Sequence, residues 1–312
     1  MKMGRKPLCA TLLAAAILAA ASFVPALAGY SRGGGFTAPG YGARAWGMGG
    51  AAVAWGADEG ATYWNPALLS LVDSGRIGFS YVNLVPGTEA RHSYLAYARS
   101  IKEGLLDGPG LDYSEHAIGV LYGNLALEVS DGRKYTENAL TLAYAYAPDY
   151  FVSIGASVGL LLSSSDIGEF DAKGTTFTAG IRVVLVENVT LAFVARNLFS
   201  RVLFDVGDNY NLDRSFTLGA AFEFLDDATL EGDVVGAFGG VSRLVLGCEG
   251  RFFSDVLAVR GGIASVTAGE SRTLPHAGLG VRLSRLHLDY NANFDTSEAF
   301  EDTHRFSLAV DL

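Results

Sequence analysis

His287 and Asp289 are the two residues of this 312-residue chain whose types and spacing come nearest to acid–base chemistry. They stand two apart, so on a strand they share a face with side chains roughly 6–7 Å apart. That is too far for a direct His–Asp dyad. The five histidines, His92, His116, His276, His287 and His304, are scattered and follow no metal-ligand spacing such as H-E-x-x-H. Gly278-Leu279-Gly280 falls inside an alternating run, which excludes a phosphate-cradling loop. The chain therefore offers no catalytic residue, no metal site and no cofactor site, and an enzyme is not expected. What Arg182, Glu223, Arg282, His287 and Asp289 can do is line a watery interior, where charges pair and hydrate one another.

The elements that would position these groups are strands. Phe216, Leu218, Ala220, Phe222 and Phe224 alternate with Thr217, Gly219, Ala221 and Glu223. The same rhythm runs through Leu140 to Tyr146 and Leu279 to Leu283, and it closes the chain at Phe306, Leu308, Val310 and Leu312. Alternation puts one apolar and one small or polar face on each strand. A charge on a lipid-covered face near the midplane costs about 2–4 kcal/mol, which sends the polar set inward.

The chain opens with a leader. Lys2, Arg5 and Lys6 precede an apolar core from Leu12 to Val24, and Ala26-Leu27-Ala28 is a small-x-small cleavage site. Residues 1–28 are read as a secretory signal peptide. The net charge is −10, and the leader holds three of the cations and none of the anions, so the remainder is more acidic still. That balance excludes nucleic acid as a partner. Past the leader no run of about 18 apolar residues exists, which excludes a helical membrane span. Yet half the residues are hydrophobic, and mean hydropathy is +0.26. Export, alternation and aromatic content together predict an all-β transmembrane antiparallel barrel in an outer membrane, with outer-membrane lipid around it. Cys248, the one cysteine beyond the leader, sits in the apolar series Leu244, Leu246, Cys248 and reads as a small apolar residue.

Three regions follow: the leader, an N-terminal plug-like segment at 29–74, and a barrel at 75–312. Alternation gives about 14 strands if 115–129 is kept as one bulged strand, because its apolar phase changes around Gly123-Asn124. An even count puts both barrel ends in the periplasm, with short turns there and longer loops outside. It also leaves a long periplasmic connection at 100–114. The outer loops are acidic: Asp166, Glu169 and Asp171; Asp205, Asp208 and Asp213; Glu298, Glu301 and Asp302. They form a solvated rim or bridge to anionic headgroups through divalent cations.

Residues 29–60 hold eleven glycines and break the alternation. Gly47, Gly49 and Gly50 let backbone approach backbone in a confined lumen. Asn65 can cap a turn through its side chain, and Pro66 stiffens it. Trp46, Trp55 and Trp64 read either as anchors of a plug or as walls of an apolar ligand pocket.

The run from Gly42 to Ala54, then Asp58-Glu59 and Tyr63-Trp64-Asn65-Pro66-Ala67-Leu68, resembles the PorV/PorQ family within the FadL-like outer-membrane barrels. The matching positions are Ala43, Arg44, Gly47, Met48, Gly49, Gly50, Ala51, Asp58, Trp64, Asn65, Pro66, Ala67 and Leu69. Ala195-Arg196-Asn197-Leu198 is similar to a second family feature at a strand end. Leu68 stands where the family usually has Gly, and the chain ends in Leu312 rather than Phe. A FadL-like resemblance implies a barrel, partly occluded by its N-terminal segment, that admits hydrophobic small molecules. A PorV-like one implies an accessory component of a protein secretion system that holds exported proteins, with loops 198–213 and 295–302 as the contact surface.

Overall fold

The computed structural model describes residues 40–312 apart from 74, 86–89, 102–114, 129–131, 167–170, 206–208, 226, 238–239, 267–271 and 295–301. The leader, the long connection after residue 101 and the loop acids Glu169, Asp208, Glu298 and Glu301 lie outside the described residues.

Fourteen strands close on themselves. They are β1 (Arg76–Val85), β2 (Ala90–Ile101), β3 (Glu115–Glu128), β4 (Lys134–Ala147), β5 (Val152–Ser165), β6 (Ala172–Val186) and β7 (Val189–Arg196), then β9 (Ser215–Phe224), β10 (Ala228–Ala237), β11 (Gly240–Phe252), β12 (Leu257–Val266), β13 (Arg272–Leu283), β14 (Leu286–Asn293) and β15 (Thr303–Asp311). Each pairs antiparallel with its neighbours, and β1 pairs with β15 from Arg76↔Asp311 to Val82↔Arg305 to seal the ring. A closed antiparallel ring leaves no unpaired edge, which is what a hydrocarbon surround demands.

Two details differ from the sequence reading. β3 is one strand with continuous register to β2 and β4 and no bulge. Its inner face is apolar in part: Leu121 points inward and packs beside Tyr41 and Tyr94 instead of meeting water, and Leu125 and Leu127 follow on the same face. Loop 198–213 also carries a short strand, β8 (Arg201–Phe204). It extends the ladder of β6 beyond the end of β7 and bridges back through Val202↔Tyr210.

Ile77, Phe79, Leu142, Leu160, Leu279 and Leu308 stand exposed on the outside of the ring. An apolar exterior of this extent is stable when hydrocarbon covers it. The turns at 187–188, 225–227 and 284–285 are short, and Leu225 and Ser284 take left-handed φ of 58° and 55° to close theirs. Inside, the wall facing the lumen is rich in Gly, Ala, Ser and charged residues, and residues 40–72 lie within it.

Candidate functional site

The segment inside the barrel divides into two halves. The first, Gly40 to Ala54, starts with helix α1 (Ala43–Gly47). The helix is short because Gly49 and Gly50 follow with φ of 73° and 89°, conformations that end a helix and that side chains disfavour. It lies against β12 to β15. The contact is close: a Cβ on Gly247 or Gly262 would overlap the backbone of Met48, and one on Gly278 would overlap Gly47.

Polar side chains of the wall hold this half by its backbone. Ser307 Oγ accepts from Ala43 N at 2.8 Å. Arg305 donates to the Gly40 carbonyl at 3.1 Å, Asn291 to that of Trp46 at 3.2 Å, and Arg243 to that of Gly49. Beyond the helix, Ala52 N donates to Asp233 at 3.1 Å and Ala54 N to Glu231 at 2.6 Å. Asp233 and Glu231 share the inner face of β10, so they mimic a strand edge for the extended residues beside them.

The second half, Ala61 to Val72, holds helix α2 (Ala61–Trp64) and a 3₁₀ helix (Pro66–Leu71). Asn65 caps the latter: its Oδ1 accepts from Ala67 N at 3.0 Å, with Pro66 as the first helical residue. Its Nδ2 donates to the Val53 carbonyl at 2.7 Å and so ties the two halves together. The seat of this half is apolar. Leu68, Leu69 and Val72 pack with Ala61 against Ala98, Ala117, Ala143 and Ala145 of the wall. Leu68, the departure from the family pattern, is 1 % exposed there and fills space that Gly would leave empty. Gly155 lets the wall approach the Pro66–Ala67 backbone.

An aromatic shell joins the halves. Tyr41 meets Tyr63 edge-on at 4.6 Å, Trp46 meets Trp64 at 6.3 Å, and Trp64 Nε1 donates to the Tyr41 carbonyl at 2.8 Å. Arg196, on β7, covers Tyr63 at 4.2 Å and donates to the Tyr63 and Trp64 carbonyls. Tyr41, Tyr63, Trp46 and Trp64 thus pack on one another inside the barrel, whereas Trp55 faces the cavity described next.

Between the halves, the connection from Trp55 to Gly60 borders a cavity of about 420 Å³ at the end of the barrel where β1 begins and β15 ends. Arg182, Glu223, Arg282, His287 and Asp289 all line it. His287 pairs with Asp311 at 2.8 Å, and Asp289 with Arg260 at 2.6 Å, so the two residues that share a strand face do not form a dyad. Arg76 reaches Asp311 at 2.7 Å. Glu249 joins Arg260 at 2.6 Å to Arg44 at 3.3 Å, and Arg44 continues to Asp58 at 3.0 Å. Trp55 lies under Arg44 at 4.6 Å. Among the described residues no group of three metal-ligating side chains converges.

Two plug carboxylates beside the cavity are shifted in opposite directions. Burial alone would raise Asp58, but Arg44 and Arg76 outweigh it and hold the carboxyl below its usual range. Arg76 lowers Glu59 too, but by less than burial and the Asp58 charge raise it. Burial, aided by the Asp58 charge, pushes it up to about 7, and it takes a 3.2 Å hydrogen bond from Tyr94.

Trp46, Gly47, Gly49, Gly50, Trp55, Trp64, Asn65 and Pro66 all belong to this plug. The alternation places Glu231, Asp233 and Asp311 on inward faces and the motif includes Glu59, but sequence reasoning assigned none of them a partner, and it missed Arg260. The usable signal lay in the wall: Gly119, Gly155, Gly219, Gly247, Gly262 and Gly278 occupy inward positions where any side chain would strike the plug.

No family model and no curated protein matches the chain. Among solved structures, the CymD monoaromatic hydrocarbon channel is similar with a TM-score of 0.64 at 13% identity, covering 89% of this chain and 99% of that one. The P. putida toluene transporter TodX is similar at 0.62 and 14% identity, with 88% and 99% covered. A Pseudomonas aeruginosa FadL homologue is similar at 0.61 and 13% identity, with 89% and 100% covered. At these identities the likeness concerns the fold alone, a closed antiparallel barrel of fourteen strands.

Proposed function

We propose that the protein resides in an outer membrane and passes hydrophobic small molecules through its barrel, with residues 40–72 as the gate. The observation that carries this reading is the plug itself. It fills the lumen without a covalent tie to the wall, and side chains directed at its backbone hold half of it. Water can replace each of those hydrogen bonds, which leaves the burial of Met48 and Val53 as the main cost of that half leaving its seat. The fold shared with proteins described as toluene transporters and a monoaromatic hydrocarbon channel supports the substrate class. The exposed apolar exterior supports the membrane.

The test is a reversible lock. In a Cys248→Ser background, Ala43→Cys with Ser307→Cys places a disulfide where the helix meets β15. The protein is reconstituted into vesicles with a lipopolysaccharide outer leaflet and offered toluene or a long-chain fatty acid. Uptake is expected to fall to the level of protein-free vesicles on oxidation and to return with a reductant. Equal uptake in both states would contradict the reading.

A second reading has its own support. The motif residues that resemble PorV/PorQ proteins, from Ala43 to Leu69, are those that seal the lumen. A permanently sealed barrel suits a component that binds exported proteins or secretion-system partners instead of a channel. Capture of one such partner by the purified barrel, with no hydrocarbon uptake in the unlocked state, would favour it.

A further inference from the structure

Arg305 differs from the arginines around the cavity. Arg44, Arg76 and Arg260 each rest on a carboxylate. Arg305 is 5 % exposed and, among the described residues, has no carboxylate within ion-pair distance. It donates once, to the Gly40 carbonyl, and lies over the Trp46 ring at 5.3 Å. A guanidinium carries five N–H donors, and this bond uses one of them. A buried cation with no counter-charge is costly.

Its surroundings lack partners in the same sense. His276 lies 5.4 Å from the Trp46 ring and is 5 % exposed, and neither of its ring nitrogens has a hydrogen-bond partner among the described residues. His92, 3 % exposed and one strand beyond Val82 in the register row of Arg305, leaves Nδ1 without one. Trp46 leaves Nε1 without one. Arg243 reaches the same indole at 5.0 Å. Buried polar atoms without partners are rare, and several around one cation point to a group that completes them.

We propose that Arg305, His276 and the Trp46 N–H form a binding site for an oxyanion, a phosphate or sulfate group, between the wall and the first half of the plug. The arginine fork matches two oxygens of such a group, and the imidazole and indole donors meet the others. The anion supplies the missing counter-charge and fastens Gly40 to Gly50 to the wall. The phosphate is either free in solution or part of a lipid headgroup.

The test uses the purified chain in non-ionic detergent at constant ionic strength. Inorganic phosphate and dihexanoyl phosphatidate are titrated separately by calorimetry. At least one is expected to saturate a single site, and the tighter of the two identifies the source. Arg305→Gln is expected to abolish binding. His276→Phe is expected to weaken it about tenfold or more, the loss of one hydrogen bond to a charged group. Should Arg305→Gln lose its heat-dependent electrophoretic mobility, the mark of a folded barrel, His276→Phe decides. Saturation by neither probe, or affinity unchanged in the folded variants, overturns the proposal.

Discussion

The two halves of the plug occupy one lumen and are held by different balances of force, although Met48, Ala51, Val53 and Ala54 of the first half are also buried against the wall. Gly40 to Ala54 lies against β10 to β15 and is fastened backbone-first, by Ser307, Asn291, Arg243, Arg305, Asp233 and Glu231. Ala61 to Val72 lies against β2 to β6 and is fastened by Leu68, Leu69 and Val72 in an alanine-lined seat. A hydrogen bond exchanged for one to water costs little, whereas exposing leucine side chains costs about 1.5–3 kcal/mol each. The contrast makes the second half an anchor and the first a latch. It also explains the glycines: a latch that binds through its backbone must come close to the wall, and side chains on either surface would prevent it.

The sharpest way to break the contrast is to empty the anchor. Leu69→Ala, at a residue with no exposure, is expected to cost about 3–5 kcal/mol of plug stability, read from the denaturant midpoint of Trp fluorescence. If that substitution changed nothing, burial would not be what holds the second half.

Proton activity should act on the connection between the halves. The free Glu59 carboxyl protonates near its ordinary 4.5, and the seated one near 7. Between those values the folded protein binds the extra proton, so stability falls as pH rises from about 4.5 to about 7 and is level on either side. The full span is about 3 kcal/mol. Glu59→Gln is expected to flatten that slope in pH-dependent melts. Asp58 acts in the opposite sense: its stabilising contribution is present above 3.8 and is lost as pH falls through its depressed value.

Smaller effects should mark the latch. Glu231→Gln and Asp233→Asn each keep the shape and weaken one charge-assisted hydrogen bond, with an expected loss of about 1–3 kcal/mol confined to the first half. Amide exchange at Ala52 and Ala54 should quicken while that at Leu68 and Leu69 stays the same. Asn65→Ala removes the cap and the tie to Val53 and is expected to cost about 1 kcal/mol, with the two halves melting further apart.

How much of this was legible in the sequence follows from the same physics. The barrel strands could be read because one face meets hydrocarbon, which permits only apolar residues at alternate positions. Alternation became ambiguous in β3, where Leu121 points inward toward Tyr41 and is apolar for a different reason. Residues Arg201–Phe204 were taken as loop because four residues are too few for a rhythm to show. In the lumen, Arg182, Glu223, Arg282, His287, Asp289 and Asp311 declared themselves as inward charges, but not which of them pair. His287 meets Asp311 across β15, a distance in sequence that only the closed ring removes. Glu231 and Asp233 could be read as inward groups and Glu59 as part of an acidic stretch, but their roles stayed hidden because those come from what the plug places over them.

Hydrogen exchange resolved by residue, on the full chain in micelles, tests the central contrast most directly. The account predicts that amides from Ala43 to Ala54 exchange by local opening, at least about tenfold faster than those from Ala61 to Val72, while the strands stay protected. Equal protection of the two halves, lost together with the strands in a single step, would contradict it.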